Sequence, residues 1–392
     1  MKFNKFKKVA MPINIVLFNL CRLHPFRKKN VWVFGGWEGA HYDDNSRHLF
    51  EYVNKEHPDI LAIWLTKDKS VVNQVKSKGY SAYTFYSLRG MSAALRAGVA
   101  VYSHGLIDFG QFPLVGGAKI VSLWHGVGFK KIYNAKYKGF KLKAKKILSC
   151  FFSWTARDIT TVTSEYTRQQ FQCIFGLKPK DVFITGQPRN DVLFRQLSKE
   201  KVFHSLSISD EKKVILYMPT YRSPSLGKDY MGGVIDELFN NADLNNYLLE
   251  NDAVFLAKLH PLTPHVCVQN RENFKILDYD AVKSNQELLA VSDVMVTDYS
   301  SCFVDFALLN RPIIFYMPDQ EKFVTQSEGL DEDFFRISKL NSAQNVQEFV
   351  DKLRRNSNVV CEATNELFED PEIKGTSYCE NVYKLVKERL HD

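Results

Sequence analysis

Short apolar runs recur along the chain, separated by segments whose apolar positions fall three and four residues apart. An unbroken apolar run of this length reads as a strand buried on both faces, and the three-and-four spacing reads as one face of a helix. Strands are expected at Val31–Phe34, Ile60–Leu65, Val99–Tyr102, Lys119–Leu123 and Ile159–Val162, then at Val182–Thr185, Val214–Met218, Val254–Lys258, Val294–Thr297 and Ile313–Tyr316. Helical stretches such as Ser46–Tyr52, Ser70–Lys78 and Glu165–Phe171 lie between them. Strands alternating with helices predict an α/β protein with parallel sheets covered by helices. At 392 residues, two such domains are favoured over one. The boundary is expected near Thr185–Asp191, where Gly186-Gln187-Pro188 ends a strand. This gives domains 1–188 and 189–392, with the last helix packing back on the first.

Composition adds limits. An apolar fraction of 45% and a charged fraction of 24% are those of a globular protein. The seven cysteines are scattered without a CxxC pair, which argues against a disulfide framework or a structural zinc site and fits a reducing cytoplasm. The apolar stretch Val9–Cys21 contains a proline and two asparagines and lacks a small-residue cleavage site. It suits neither a secretory signal nor a membrane span.

The formal charge of +8 is unevenly placed. Lys2, Lys5, Lys7 and Lys8 precede the apolar stretch, and Arg22, Arg27, Lys28 and Lys29 follow it. Eight lysines between Lys130 and Lys146 alternate with Phe129, Tyr133, Tyr137, Phe140 and Leu142. Such alternation suits an anionic membrane surface, each charge contributing about 1 kcal/mol near the lipid. The same residues can form a solvated lysine-rich face, and no nucleic-acid-binding motif accompanies them.

In parallel sheets, ligands sit beyond the carboxyl ends of the strands, so the residues just after each strand carry the chemical information. After Lys119–Leu123 comes Trp124-His125-Gly126-Val127-Gly128, and after Val254–Lys258 comes His260-Pro261. A histidine at such an exit can take a proton from a hydroxyl near neutral pH, or simply close a loop. Val294–Thr297 runs into Asp298-Tyr299-Ser300-Ser301 and then a helix. Ser300 or Ser301 is expected to cap that helix, whose free N–H groups suit a diphosphate. Asp298 and Asp305 are placed to cap, or to bind a hydroxyl. Val214–Met218 leads into Pro219-Thr220-Tyr221-Arg222, and Val182–Thr185 leads into Gly186-Gln187-Pro188-Arg189-Asn190-Asp191. Arg222 and Arg189 suit phosphate oxygens or a surface ion pair. In the amino-terminal half, Gly35-Gly36 and Asp43-Asp44-Asn45-Ser46 form a candidate acceptor wall. Asp278-Tyr279-Asp280 has the form of a metal-holding DxD pair and equally of an acidic turn ahead of a helix. No metal ligand set is predicted.

Taken in order, these segments resemble the CDP-glycerol glycerophosphotransferases, the family of teichoic-acid primases and polymerases. The blocks are Trp124-His125-Gly126, Thr185-Gly186-Gln187-Pro188-Arg189-Asn190-Asp191, Pro219-Thr220-Tyr221-Arg222, His260-Pro261, Thr297-Asp298-Tyr299-Ser300-Ser301 with Asp305, and Asn310-Arg311-Pro312-Ile313-Ile314-Phe315-Tyr316. The resemblance runs from about Gly35 to Tyr316. It implies a GT-B-like α/β fold of two Rossmann-like domains facing a cleft, with donor held mainly by the carboxyl-terminal one. It implies His125 and His260 as catalytic residues, and Gly126, Arg189, Thr220, Arg222, Thr297, Asp298, Ser300, Ser301 and Asp305 as substrate-binding residues. The donor implied is CDP-glycerol or CDP-ribitol, with no obligatory cofactor and room for a donor-borne Mg²⁺. The acceptor implied is a lipid-linked saccharide or polymer, met by a peripheral protein at the cytoplasmic face of the membrane. Two features depart from the family: Val127-Gly128 replaces a common Thr-Pro, and Gln187 replaces a common tyrosine. The rival expectations are a glycosyltransferase of the same architecture using a nucleotide sugar, and a non-catalytic membrane scaffold.

Overall fold

The computed structural model describes residues 14, 16–127, 157–195, 199–209, 211–222, 230–260, 263, 266, 270–277, 284–326 and 330–390. Two compact units emerge. The first comprises the described residues up to His125, 157–191 and 370–390; the second comprises residues 126–127 and the described part of 192–369.

In the first unit seven parallel strands are β1 (Lys28–Gly35), β2 (Leu61–Thr66), β3 (Ser81–Thr84), β4 (Ala97–Tyr102), β5 (Lys119–Ser122), β6 (Ile159–Val162) and β7 (Val182–Ile184). They pair in the order β3-β2-β1-β4-β5-β6-β7. Successive side chains of a strand point to opposite faces, and both faces here are covered. Trp32 and Phe34 of β1 join Leu49, Phe50 and Val53 of the helix Asp44–Glu56 on one side. Val31 and Val33 join Ala93 and Ala94 of the helix Leu88–Arg96 on the other. The carboxyl-terminal helix Tyr378–Arg389 supplies Cys379, Val382 and Val386 to the first of these clusters. It is tied down by Asp191, whose carboxylate accepts hydrogen bonds from Ser377 Oγ and the amides of Tyr378 and Cys379.

The second unit holds β8 (Lys213–Met218), β9 (Ala253–Lys258), β10 (Phe274–Leu277), β11 (Val294–Thr297), β12 (Ile313–Tyr316) and β13 (Ser342–Ala343) in the order β10-β9-β8-β11-β12-β13, again all parallel. Ile215, Tyr217, Phe255, Val294, Val296 and Tyr316 pack with the helices Tyr230–Asn240, Ala242–Glu250 and Val346–Arg355. The expected parallel α/β architecture with two Rossmann-like sheets is therefore present. In each sheet the strand order reverses once, between β1 and β4 and between β8 and β11. The connections there leave in opposite directions and open a crevice at the carboxyl ends.

Every strand expected from the sequence is found, β1 starting three residues early and the others within a residue or two of their places, and β3, β10 and β13 are additions. None of the three carries a full apolar run. β3 is mostly half-buried, and β13 has two residues.

Candidate active site

At the reversal point of the first unit, β1, β4 and β5 deliver Gly35, Ser103-His104 and Trp124-His125. Asp108 ties two of these exits together. Its fully buried carboxylate accepts from the amides of Glu38 (2.7 Å), Ser103 (3.1 Å) and His104 (2.8 Å). Burial pushes the Asp108 carboxyl up to about 7, against the pull of these N–H groups. Gly35 is required here, because a Cβ on it would lie 2.6 Å from the Asp108 carbonyl oxygen. Trp37, Glu38, Asp44 and Trp124 all take left-handed backbone conformations, with φ between +51° and +67°. Such conformations cost about 1–3 kcal/mol each and concentrate where a site holds them.

His125 reaches solvent, and its ring packs against two others. His104 stacks parallel to one face at 4.3 Å and 2°, and Trp124 lies 4.3 Å away at 32°. His125 Nδ1 is 3.2 Å from the Ser103 carbonyl oxygen, an atom that only accepts, so Nδ1 carries the proton and Nε2 keeps its lone pair. The two carbonyls around the ring are clamped as well. Asn45 Nδ2 donates to the Trp124 oxygen at 2.9 Å, and Arg189 donates to the His125 oxygen at 3.0 Å. Arg189 also pairs with buried Asp44 at 2.9 Å, and its amide donates to Asn45 Oδ1. The crowding of protein around His125 lowers its pKa. Asp44 and the Ser103 carbonyl oppose that shift, while Arg189 and Arg157 add to it. Burial would raise the Asp44 pKa, but Arg189, His104 and His125 bring it below the usual carboxylate value.

The sequence-expected residues of this unit thus fall together, with Arg189 as a clamp on the His125 loop and Gly126 (φ +148°) permitting its exit. His104 and Asp108 were not among them. The signal for His104 was present, since Ser103-His104-Gly105 follows a strand in the same form as Trp124-His125-Gly126.

At the reversal point of the second unit, Arg222 lies between two carboxylates. Its side chain meets Asp319 at 2.7 Å and Asp298 at 2.8 Å, with all three almost wholly buried. A further N–H donates to the Thr220 carbonyl at 2.7 Å, and the guanidinium lies 5.0 Å from the Tyr299 ring and 4.9 Å from Phe323. Asp298 also accepts from the amides of Thr220 (2.8 Å) and Tyr299 (2.5 Å). Of the roles left open by the sequence, Arg222 takes an ion pair rather than phosphate, a buried one and not a surface one, and Asp298 holds backbone amides rather than a hydroxyl, because both groups are committed to holding the exits of β8, β11 and β12 together. Thr297 is likewise spent, its hydroxyl donating to the Met218 carbonyl, and buried Asp305 accepts from Gln286 at 3.1 Å.

The more open side chains are Thr220, Tyr221, Ser300 and Ser301, all half-buried, and exposed His260. The Thr220 hydroxyl is buried with no hydrogen-bond partner among the described residues. Ser301 precedes the helix Cys302–Ala307 but makes no capping bond, so the expected serine cap is absent there. The His260 ring sits 5.5 Å from Tyr221, and partial burial lowers its pKa. Pro261, Asp278, Asp280 and the Lys130–Lys146 block lie outside the described residues.

Residues 16–368 match the model of the family described as CDP-Glycerol:Poly(glycerophosphate) glycerophosphotransferase. The chain belongs to this family. It is an enzyme of the glycerophosphotransferase class that the description names. A teichoic acid poly(glycerol phosphate) polymerase of Bacillus spizizenii (strain W23) is 28% identical over 90% of both chains. A teichoic acid glycerol-phosphate transferase of Staphylococcus aureus (strain NCTC 8325) is 26% identical, covering 96% of this chain and 95% of that one. Of the poly(glycerol phosphate) polymerase of Bacillus subtilis (strain 168), 27% identical, this glycerophosphotransferase spans 45%. The structure of the wall teichoic acid polymerase TagF superposes with a TM-score of 0.73 at 22% identity, covering 100% of this chain and 99% of that one. At that identity the likeness concerns the fold.

Proposed function

We propose that the chain transfers glycerol phosphate from CDP-glycerol to a teichoic acid acceptor and releases CMP. The observation that carries this reading is the fixed tautomer of His125, which leaves Nε2 as a base at a strand exit that the family match covers. The acceptor hydroxyl gives its proton to Nε2, its oxygen bonds to the β-phosphorus, and the bond to CMP breaks with its electron pair leaving on CMP. Phosphoryl transfer depends chiefly on positioning and charge stabilisation. The first unit serves the acceptor. The second serves the donor, with Thr220, Ser300, Ser301 and His260 facing the diphosphate and the Arg222 cluster setting their positions from behind. Incubation with CDP-glycerol, CDP-ribitol and UDP-sugars tests this. CMP is expected from CDP-glycerol with a teichoic acid acceptor present. Turnover of UDP-sugars alone would replace the reading with glycosyl transfer, and no turnover at all would favour a scaffold.

The acceptor, in this reading, is lipid-linked or polymeric, and the protein meets it at the cytoplasmic membrane surface. Support comes from an exposed apolar row, Val16 (58% exposed), Leu20 (55%), Leu23 (78%) and Phe26 (70%), beside exposed Arg22, Lys28 and Lys29. No helix among the described residues is long and apolar enough to cross a membrane. Attraction between such charges and anionic lipid is screened over about 8 Å at physiological ionic strength. Flotation with anionic vesicles is therefore expected to weaken as salt rises and to drop when Leu20 and Leu23 become serine. Equal flotation with neutral vesicles would count against the basic residues as the anchor.

A further inference from the structure

We infer that His104 is a second acceptor-binding residue: its Nε2–H holds an oxygen neighbouring the hydroxyl that His125 activates, so the ring pair selects an acceptor with two adjacent oxygens. The inference rests on the reading of His125 as the base. Three observations support it. The two imidazoles are parallel, with centroids 4.3 Å apart. The amide of Trp37 donates to His104 Nδ1 at 3.2 Å, which requires a lone pair there and so puts the single proton of the neutral ring on Nε2. The Ser103 carbonyl imposes the opposite tautomer on His125. The pair therefore presents one Nε2 donor and one Nε2 acceptor. No described residue hydrogen-bonds either atom, whereas both Nδ1 atoms are held by backbone.

His104 stays neutral near physiological pH, because burial and the neighbouring His125 hold its pKa at about 4. It donates a hydrogen bond and transfers no proton. With hydrogen bonds of ordinary length, two oxygens on adjacent carbons can span a donor and an acceptor on rings this close. A terminal glycerol unit offers such a pair, and so does a sugar ring. An isolated hydroxyl does not. Trp37, which fixes the His104 tautomer, sits in a left-handed conformation (φ +51°) and packs its indole 4.8 Å from the His104 ring. The strained turn thus has a defined task, which is to point an amide at Nδ1.

The test compares the full chain with H104F, which keeps a stacking ring, and H104Q, which keeps a donor near the Nε2 position. The acceptors are a synthetic oligo(glycerol phosphate) ending in glycerol and one ending in propane-1,3-diol, which lacks the adjacent hydroxyl. The unsubstituted protein should favour the glycerol end about tenfold in kcat/KM, the size of one hydrogen bond. H104F should lose that preference by slowing only the glycerol-ended acceptor, and H104Q should recover part of it. An H104F variant that keeps the preference, or slows both acceptors equally, would overturn the inference and leave His104 a packing residue. Nitrogen NMR of the unsubstituted protein at pH 7.5 should show His104 neutral with its proton on Nε2, and a proton on Nδ1 would overturn it independently of activity. Failure of the unsubstituted protein to use either acceptor would count against the proposed function itself, and the NMR result would then decide the inference alone.

Discussion

Replacing His125 by alanine is expected to lower transfer by about 10²–10⁴-fold, the usual contribution of a positioned base. Affinity for CDP-glycerol should stay within a few-fold, because the donor is assigned to the second unit. The alanine also removes a ring held by one stacked ring, one tilted ring and one hydrogen bond, so thermal unfolding must accompany the kinetics. The pH dependence gives a further check. A base works when unprotonated, and the His125 pKa lies below the ordinary 6.5 because protein crowds the ring. The acid limb of kcat/KM should therefore fall below pH 6.5, with rates level from there through neutrality. An acid limb above pH 7, or an alanine variant with near-normal turnover, would remove His125 from the mechanism.

Replacing Arg222 by alanine is expected to destabilise the second unit by about 3–5 kcal/mol, since it strands two buried carboxylates. Burial works against the arginine's own charge, but Asp298 and Asp319 more than offset this and keep it protonated. Lysine should rescue poorly, because a single ammonium cannot span both carboxylates as the planar guanidinium does. Urea unfolding of the full chain measures the loss. A change below about 1 kcal/mol would mean that the cluster is looser than its 2.7 and 2.8 Å contacts indicate.

The contrast between these two residues shows what a sequence reveals. His125 was legible because a strand, a histidine and a glycine are consecutive, and strand ends are where parallel sheets keep their chemistry. The role of Arg222 was not, because its second partner, Asp319, is 97 residues away and follows a different strand. Residue type left phosphate binding and a surface ion pair both open, and the fold spends the guanidinium on its own buried carboxylates. Asp108 escaped notice for a related reason: its bonds to Glu38, Ser103 and His104 exist only once β1 and β4 lie side by side. Strands were read well because each is a short apolar run buried on both faces. β3 was missed because of its four residues only Ala82 is buried.

The bond that breaks is the centre of this account, and it can be followed directly. CDP-glycerol labelled with ³²P at the β-phosphorus, incubated with the protein and a teichoic acid acceptor, should place the label in the acceptor and release unlabelled CMP. Label recovered in CDP, with unlabelled glycerol on the acceptor, would mean that the carbon–oxygen bond breaks as in glycosyl transfer, and would contradict the assignment of His125 to phosphoryl transfer.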